Sequence, residues 1–175
     1  TLTQTGLNDV ERLLDENELL PYELDPHKIK QDFLRHGLYT QKVTASVMQN
    51  EQFVDYQTEK EIQRNSESGV KQHDVIWQIG DMHIGVEVEL TAKWNRPFDQ
   101  FIIGCAQSIV SGSINQLFLI SDAPAIIKRY KQALTGGNQI PRWVQNTKRF
   151  WETKGSFTLP EGIERKVICQ EFKDY

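Results

Sequence analysis

The sequence predicts an α/β protein built on one mixed sheet, with the element order helix, three strands, helix, strand, helix. The first observation behind this is a hairpin. Residues 73–79 are β-branched and aromatic, Gly80-Asp81 is a turn signal, and residues 82–90 alternate apolar with polar. The second is the short apolar run of residues 117–121, the pattern of a strand buried on both faces. The third is a helical pattern on each side of that run. A helix between two strands of one sheet makes the later strand parallel to the earlier one.

The elements follow in order. Asn8-Asp9-Val10-Glu11 resembles a capping box, and Val10, Leu13 and Leu14 continue at helical spacing, so residues 9–19 form a short amphipathic helix. Pro21 and Pro26 break the chain. A longer helix starts at His27 with Ile29, Phe33 and Leu34 on its buried side, interrupted at Gly37 and resumed from Val43 to Met48. Residues 53–64 read either as a first strand or as a strand running into a charged turn, and residues 65–69 as a loop before the hairpin. Trp94-Asn95-Arg96-Pro97 is a turn, and residues 98–110 are a helix that packs Phe101, Ile102 and Cys105 on the sheet. Pro124 opens a helix ending near Leu134, residues 135–139 are a flexible loop, and residues 164–172 close the domain as an edge strand. The chain thus divides into an acidic helical arm (1–27), a core (28–134) and a basic, aromatic extension packed on it (135–175).

At 175 residues with 38% hydrophobic side chains, the chain buries one good core rather than two. No apolar run reaches the length of a membrane span, and the first residues lack the basic and apolar regions of a signal peptide. The chain opens on Thr1 instead of Met, which suggests processing or a piece of a longer protein. Cys105 and Cys169 have no companions at zinc spacing and fit a reducing, cytoplasmic setting, with Cys105 a small core residue. The four histidines do not cluster, and His73 and His83 flank the hairpin as candidate substrate contacts. The net charge of −4 hides a gradient: residues 1–27 hold seven acids against one base, whereas from residue 128 onward there are ten bases against five acids.

With Gly80 and Asp81 as the loop, Ile79 opposes Met82, Gln78 opposes His83 and Asp74 opposes Glu87. Strand side chains alternate, so Ile84, Val86, Val88 and Leu90 point into a core while Gly85, Glu87, Glu89 and Thr91 point the other way. Asp74, Glu87 and Glu89 therefore share a face. Opposed Cβ atoms stand roughly 5 Å apart and like charges there repel, so the arrangement calls for a proton or a cation between the groups. A hard divalent ion with oxygen ligands meets that need. Repulsion would also make Asp74→Ala or Glu87→Ala stabilising in chelator. Alternating acids equally describe a solvated sheet face; the pairing of Asp74 with Glu87 weighs against it, because exposed sheets set opposite charges across from each other.

Beyond Glu89 the chain reads Leu90-Thr91-Ala92-Lys93, which sets an ammonium near the end of the same strand. This constellation resembles the PD-(D/E)XK nuclease superfamily, whose pattern is an acid on one strand of a hairpin and an acid-x-lysine on the next. Asp74 matches the first acid and Glu87 the second; Glu89 stands where the lysine usually does, and Lys93 is the candidate for the displaced charge. Residues 85–93, with the upstream stretch 56–64, are similar to the replication-relaxation proteins and the MobC-type plasmid mobilisation relaxases, over residues 28–134.

The resemblance implies a restriction-endonuclease-like αβββαβ core and metal-dependent DNA nicking at a plasmid transfer or replication origin. It places Mg²⁺ or Mn²⁺ on Asp74, Glu87 and Glu89, with Lys93 neutralising phosphate charge or orienting water. It also implies relaxosome proteins as partners and a winged-helix-like domain ahead of this one. A covalent link to DNA would need a tyrosine, and Tyr22, Tyr39, Tyr56, Tyr130 and Tyr175 are not ranked by the sequence.

Downstream, Arg142, Trp143, Lys148, Arg149, Phe150 and Trp151 interleave bases with aromatic rings, as in a groove for unpaired DNA, where bases stack and phosphates meet Arg and Lys. Arg142, Trp143, Lys148 and Arg149 are the candidate DNA contacts; the aromatic residues read equally as anchors of a terminal helix. Gln107 is a candidate phosphate contact or a plain surface residue. Two further functional readings stand beside the nuclease. One is a catalytically silent DNA-binding or relaxosome-assembly module, kept open by Glu-x-Glu, and the other is a protein-interaction domain using the helix of residues 9–19.

Overall fold

The central hairpin shows how sequence becomes architecture. In the computed structural model, which describes residues 31–65 and 71–172, β2 (Val75–Ile79) and β3 (Met82–Val88) pair antiparallel from Val75 opposite Val86 to Ile79 opposite Met82. Gly80 takes a positive φ of 55° in the two-residue loop, a conformation open to glycine at no steric cost. This is the register expected from the turn.

Around the hairpin stand α1 (Gln31–Val47), β1 (Phe53–Thr58), α2 (Glu59–Asn65), α3 (Asn95–Val110), β4 (Gln116–Ser121), α4 (Pro124–Ala133), β5 (Gln139–Gln145), β6 (Trp151–Thr158), a 3₁₀ turn (Ile163–Lys166) and β7 (Val167–Glu171). One sheet has the strand order β1-β2-β3-β4-β7, antiparallel across β1, β2 and β3 and parallel across β3, β4 and β7; β5 and β6 form a separate antiparallel ribbon. The described chain is therefore α+β with a mixed sheet. β7 lies at one edge of that sheet as expected and extends it beyond residue 134.

Both faces of the sheet are covered. On one, Val75 and Trp77 of β2, Ile84 and Val86 of β3 and Ile120 of β4 pack with Val43 of α1. The Trp77 indole donates to Thr44 Oγ1 at 3.0 Å, so the polar edge of this buried side chain is satisfied, and its ring packs at a tilt against Phe118. On the other face, Leu117 and Leu119 meet Phe101, Ile102, Cys105 and Ile109 of α3 and Ile126 and Tyr130 of α4. Pro124 in the first turn of α4 fits where helical N–H groups have no partner.

Several local expectations change. The helix runs through Gly37 without a break: the cost of a mid-helix glycine is about 1 kcal/mol, and burial of Tyr39, Val43 and Thr44 on the same helix outweighs it. Leu34 is 54% exposed instead of buried. The charged stretch after β1 is a helix, because Glu61 accepts from the Thr58 backbone N–H and hydroxyl and so closes its first turn. α3 starts at Asn95, inside the expected turn. Among the described residues no terminal helix stands for Trp143, Phe150 and Trp151 to anchor: they lie on β5, on the connecting turn and on β6. The ribbon docks on α3 instead, through the Trp143 indole N–H to Asp99 at 2.8 Å and the Arg96 guanidinium 4.2 Å over the Trp151 ring. The expected helix over residues 9–19, Ile29, Ser66 to Gly69 and the side chain of Phe33 lie outside the described residues.

Candidate functional site

The acidic face of β3 is not solvated. Glu87 is 2% and Glu89 4% exposed, because α3 and α4 cover the side of the strand that the alternation leaves polar. An isolated carboxylate there would cost several kcal/mol, so each has to be paired. Glu87 Oε1 receives Lys71 Nζ and, at 2.7 Å, the Nδ1–H of buried His73. Glu89 Oε1 receives Lys93 Nζ, and Glu89 Oε2 receives the Tyr130 hydroxyl at 3.2 Å. The two ammonium groups lie 5.1 and 4.7 Å from the centre of the same Phe101 ring. Cations are drawn to the electron-rich face of such a ring.

Two glycines make room for this network. A Cβ on Gly85 would stand 3.1 Å from the His73 ring and 2.8 Å from Ile114 Cδ1, so the imidazole reaches Glu87 over a bare backbone. Gly104, in the middle of α3, would place a Cβ 3.1 Å from Lys71 Cβ; the lysine stem passes across this notch to its carboxylate.

Asp74 stands one residue before β2, where its own N–H bonds to Val86 O and the ladder ends. Its Oδ2 accepts the Val88 N–H at 2.7 Å and His36 Nε2–H at 3.1 Å; the same imidazole N–H lies 3.0 Å from Val88 O. Both neighbours of Nε2 are acceptors, so that nitrogen carries the proton. The structure thus brings Asp74, Glu87 and Glu89 together at one end of the hairpin, but turns the Asp74 carboxylate toward α1 while Glu87 and Glu89 lie under α3 and α4.

The protonation equilibria follow these contacts. The hydrogen bond to Asp74 raises His36 above its ordinary value, against the opposing effect of burial. Burial pushes Asp74 up, but the His36 hydrogen bond and charge and the Val88 N–H outweigh it, and the carboxyl ends below its usual range. Burial raises Glu89, with Glu87 and Asp74 adding to the rise and Lys93 opposing it. For Lys71, burial lowers the pKa, and the charge of Glu87, with the Glu87 hydrogen bond and the nearby Cys105 and Asp74, together more than reverse this. Burial, then the charge of Glu89, raises the Tyr130 hydroxyl, so this phenol is a buried hydrogen-bond donor and a poor nucleophile. Burial likewise holds Cys105 a neutral thiol, in keeping with a core role.

Among the described residues no group of three or more His, Cys, Asp or Glu side chains is arranged to hold a metal ion. The donor chemistry suits a sparser site. Asp74 and Glu87 each commit one oxygen to protein partners, Oδ2 and Oε1, whereas Glu89 commits both. Spare carboxylate oxygens are the donors Mg²⁺ takes, commonly one or two from protein with water and phosphate oxygens completing its shell; to share one ion, the Asp74 carboxylate would turn from α1 toward Glu87. Glu89 would join only by releasing Lys93.

Lys71 and His36 are site residues that the sequence did not place there, whereas His73 was expected beside the site only as a substrate contact and Tyr130 only as one of five unranked tyrosines. Lys71 and His73 precede Asp74 by three residues and one, and that proximity to the first acid was the available signal. His36 and Tyr130 come from distant helices and carried none. Lys93 lies past the end of β3, beside Glu89 rather than Glu87. Arg142 and Trp143 sit on β5 beside a cleft that Lys71 also lines. Lys148 and Arg149 sit in the turn of the ribbon, exposed, next to Phe150 at 68% exposure. Two cation and aromatic pairs follow Lys93 in the chain, with Arg129 over the Trp94 ring and Arg96 over Trp151 of the ribbon.

No protein-family model, curated protein or solved structure matches the chain. Among the described residues no helix is long and apolar enough to cross a membrane.

Proposed function

We propose that the chain is a metal-dependent DNA endonuclease of the PD-(D/E)XK type, a nickase of the relaxase kind acting at a plasmid transfer or replication origin. The observation that carries this reading is that Asp74 and Glu87 lie at the same end of the hairpin, just past the last ladder pair of Val75 with Val86, each with one oxygen pinned and one to spare. Bound on these two carboxylates, Mg²⁺ or Mn²⁺ would act as a Lewis acid on a phosphodiester.

The remaining roles belong to side chains. The Val88 N–H and His36 hold Asp74 ionised and fixed in direction. His73 orients Glu87 from a position that Gly85 leaves clear. Lys71 and Lys93 carry the positive charge that phosphate oxygens would meet, and Phe101 keeps both ammonium groups on one side of the site. The ribbon, with Arg142, Lys148, Arg149 and exposed Phe150, and the two Arg and Trp pairs, would hold the backbone and bases of the DNA. The order α1, three strands, α3, β4, α4, interrupted only by α2, supports a restriction-endonuclease-like core.

One observation favours a silent DNA-binding or relaxosome-assembly module: Glu89, at the position of the usual lysine, has both oxygens occupied, one by the Lys93 ammonium and one by the Tyr130 hydroxyl. Incubation with supercoiled plasmid carrying the cognate origin, with Mn²⁺ and with EDTA, separates the two. The nuclease converts plasmid to open circles only with the ion, and folded Asp74→Ala and Glu87→Ala do not. Full cleavage by folded Glu87→Ala would sink the mechanism.

A further inference from the structure

The groove between α3 and the ribbon lies at the margin of the core under α3 and α4, where Ile103 borders both. It is a cleft of about 500 Å³, walled by Gly104 and Gln107 of α3 and by Arg142, Trp143 and Val144 of β5, with Lys71 along its side. That volume lies within the range of sites that enclose a small organic unit, about 300 to 1,000 Å³. Its walls are tied together: the Trp143 to Asp99 hydrogen bond and the Arg96 guanidinium over the Trp151 ring join β5 and β6 to α3.

Three features specify what such a cleft accepts. Its two charged groups, Lys71 and Arg142, are both cations, and no carboxylate lines it, so it selects an anion. Trp143 adds an aromatic surface and Gln107 an amide with donors and an acceptor, the combination that receives a planar base with polar edges. Lys71 is shared: the side chain that borders the cleft also ends on Glu87, having crossed α3 at the Gly104 notch. A phosphate entering the cleft would compete with Glu87 for the same ammonium group.

We infer that this cleft is a subsite for one unpaired nucleotide of a DNA strand, with its phosphate on Lys71 and Arg142 and its base against Trp143. The neighbouring turn, with Lys148, Arg149 and exposed Phe150, continues the basic and aromatic surface past the cleft, which favours a strand over a free nucleotide. The inference deepens the nuclease reading and rests on it for the identity of the ligand. It also makes Lys71 a substrate-binding residue coupled to the carboxylate site.

The test is fluorescence anisotropy with a short labelled single-stranded oligodeoxynucleotide in EDTA, so that binding is read without cleavage. Val144→Trp, which fills the cleft without altering charge, and Arg142→Gln are each expected to weaken binding about tenfold, the scale of one stacked base or one charge-assisted phosphate contact. Lys71→Met is expected to do the same; because it unpairs Glu87, its folding is checked by circular dichroism, and the Val144 and Arg142 variants stand independently of it. Unlabelled oligonucleotide should displace the probe, whereas deoxyadenosine monophosphate should need far higher concentration. Equal competition by the mononucleotide would overturn the strand assignment. Unchanged affinity in folded Val144→Trp and Arg142→Gln would overturn the cleft. Oligonucleotide binding that these variants abolish, in a protein that cuts no DNA with Mn²⁺, would refute the nuclease and leave the cleft standing. Wild-type cleavage by folded Val144→Trp would remove the cleft and leave the nuclease.

Discussion

The two sides of β3 are equally dry and are held together differently. Ile84, Val86 and Val88 enter an apolar layer under α1, whereas Gly85, Glu87 and Glu89, at the alternate positions, enter a layer of carboxylates, lysines and imidazole under α3 and α4. The apolar side gains about 25 cal/mol for each Å² removed from water. The acidic side first loses the hydration of its ions, and pairing returns that cost only when the geometry is good. Stability alone would favour apolar residues on both sides. The acidic side is therefore the one whose composition calls for a chemical reason, and two of its partners, Lys71 and Lys93, are cations that a metal and a phosphate could replace.

The largest expected effect falls on the apolar side. Trp77→Ala removes a buried ring that packs on Phe118 and leaves Thr44 without its donor, and should cost about 4 kcal/mol in urea unfolding. A loss under about 1 kcal/mol would show that this side can collapse around the gap and contributes less than its burial suggests.

Next comes the acidic side. Lys71→Met leaves Glu87 buried with His73 alone and should cost about 3 kcal/mol in the same measurement, less than Trp77→Ala. Repulsion between Asp74 and Glu87, taken alone, would make Glu87→Ala stabilising in chelator. The structure reverses that sign: the carboxylate pairs with the Lys71 ammonium and accepts the His73 N–H, so the variant is expected to melt below the wild type. A higher melting temperature would mean that repulsion among the acids exceeds their pairing.

The smallest effect concerns His36 and Asp74, where one charge pair bridges the layers. His36 has a folded pKa above 6.5, so its contribution is complete below 6.5 and is lost as pH rises through the folded value. Asp74 has a folded pKa below 3.8, so its contribution is present above 3.8 and is lost as pH falls through the folded value. The pair stabilises between those limits. In melting curves recorded across pH, His36→Gln should lose most at mildly acidic pH and converge on the wild type at alkaline pH. A deficit independent of pH would assign His36 a packing role only.

Much of this comparison was legible in the sequence, for local reasons. Gly80-Asp81 and the alternation from Met82 to Val88 set both the register and the division of β3 into two sides. The helices on each side of β4, and the strand that closes the sheet, declared themselves by periodicity and by Pro124. What local pattern did not carry was the environment of the acids. Alternating Glu residues look the same whether water or a helix covers them, and the covering side chains, Phe101 and Tyr130, come from later in the chain. Asp74 was placed opposite Glu87 by continuing the ladder, yet the ladder stops at Val75, and its carboxylate caps the strand end through the Val88 N–H. The β5 and β6 ribbon was missed because Pro141 sits within one strand and Gly155 within the other, both of which weaken a strand pattern.

The measurement closest to the central claim is calorimetric titration of Mn²⁺ into the folded protein, beside Glu87→Gln and Asp74→Asn. If the acidic side of β3 is a metal site, the wild type should release or absorb heat saturably, melt higher in millimolar Mn²⁺ than in EDTA, and lose both responses in either variant. Equal melting temperatures and no saturable heat from the wild type would contradict it, and would leave the buried carboxylates as a structural ion-pair network.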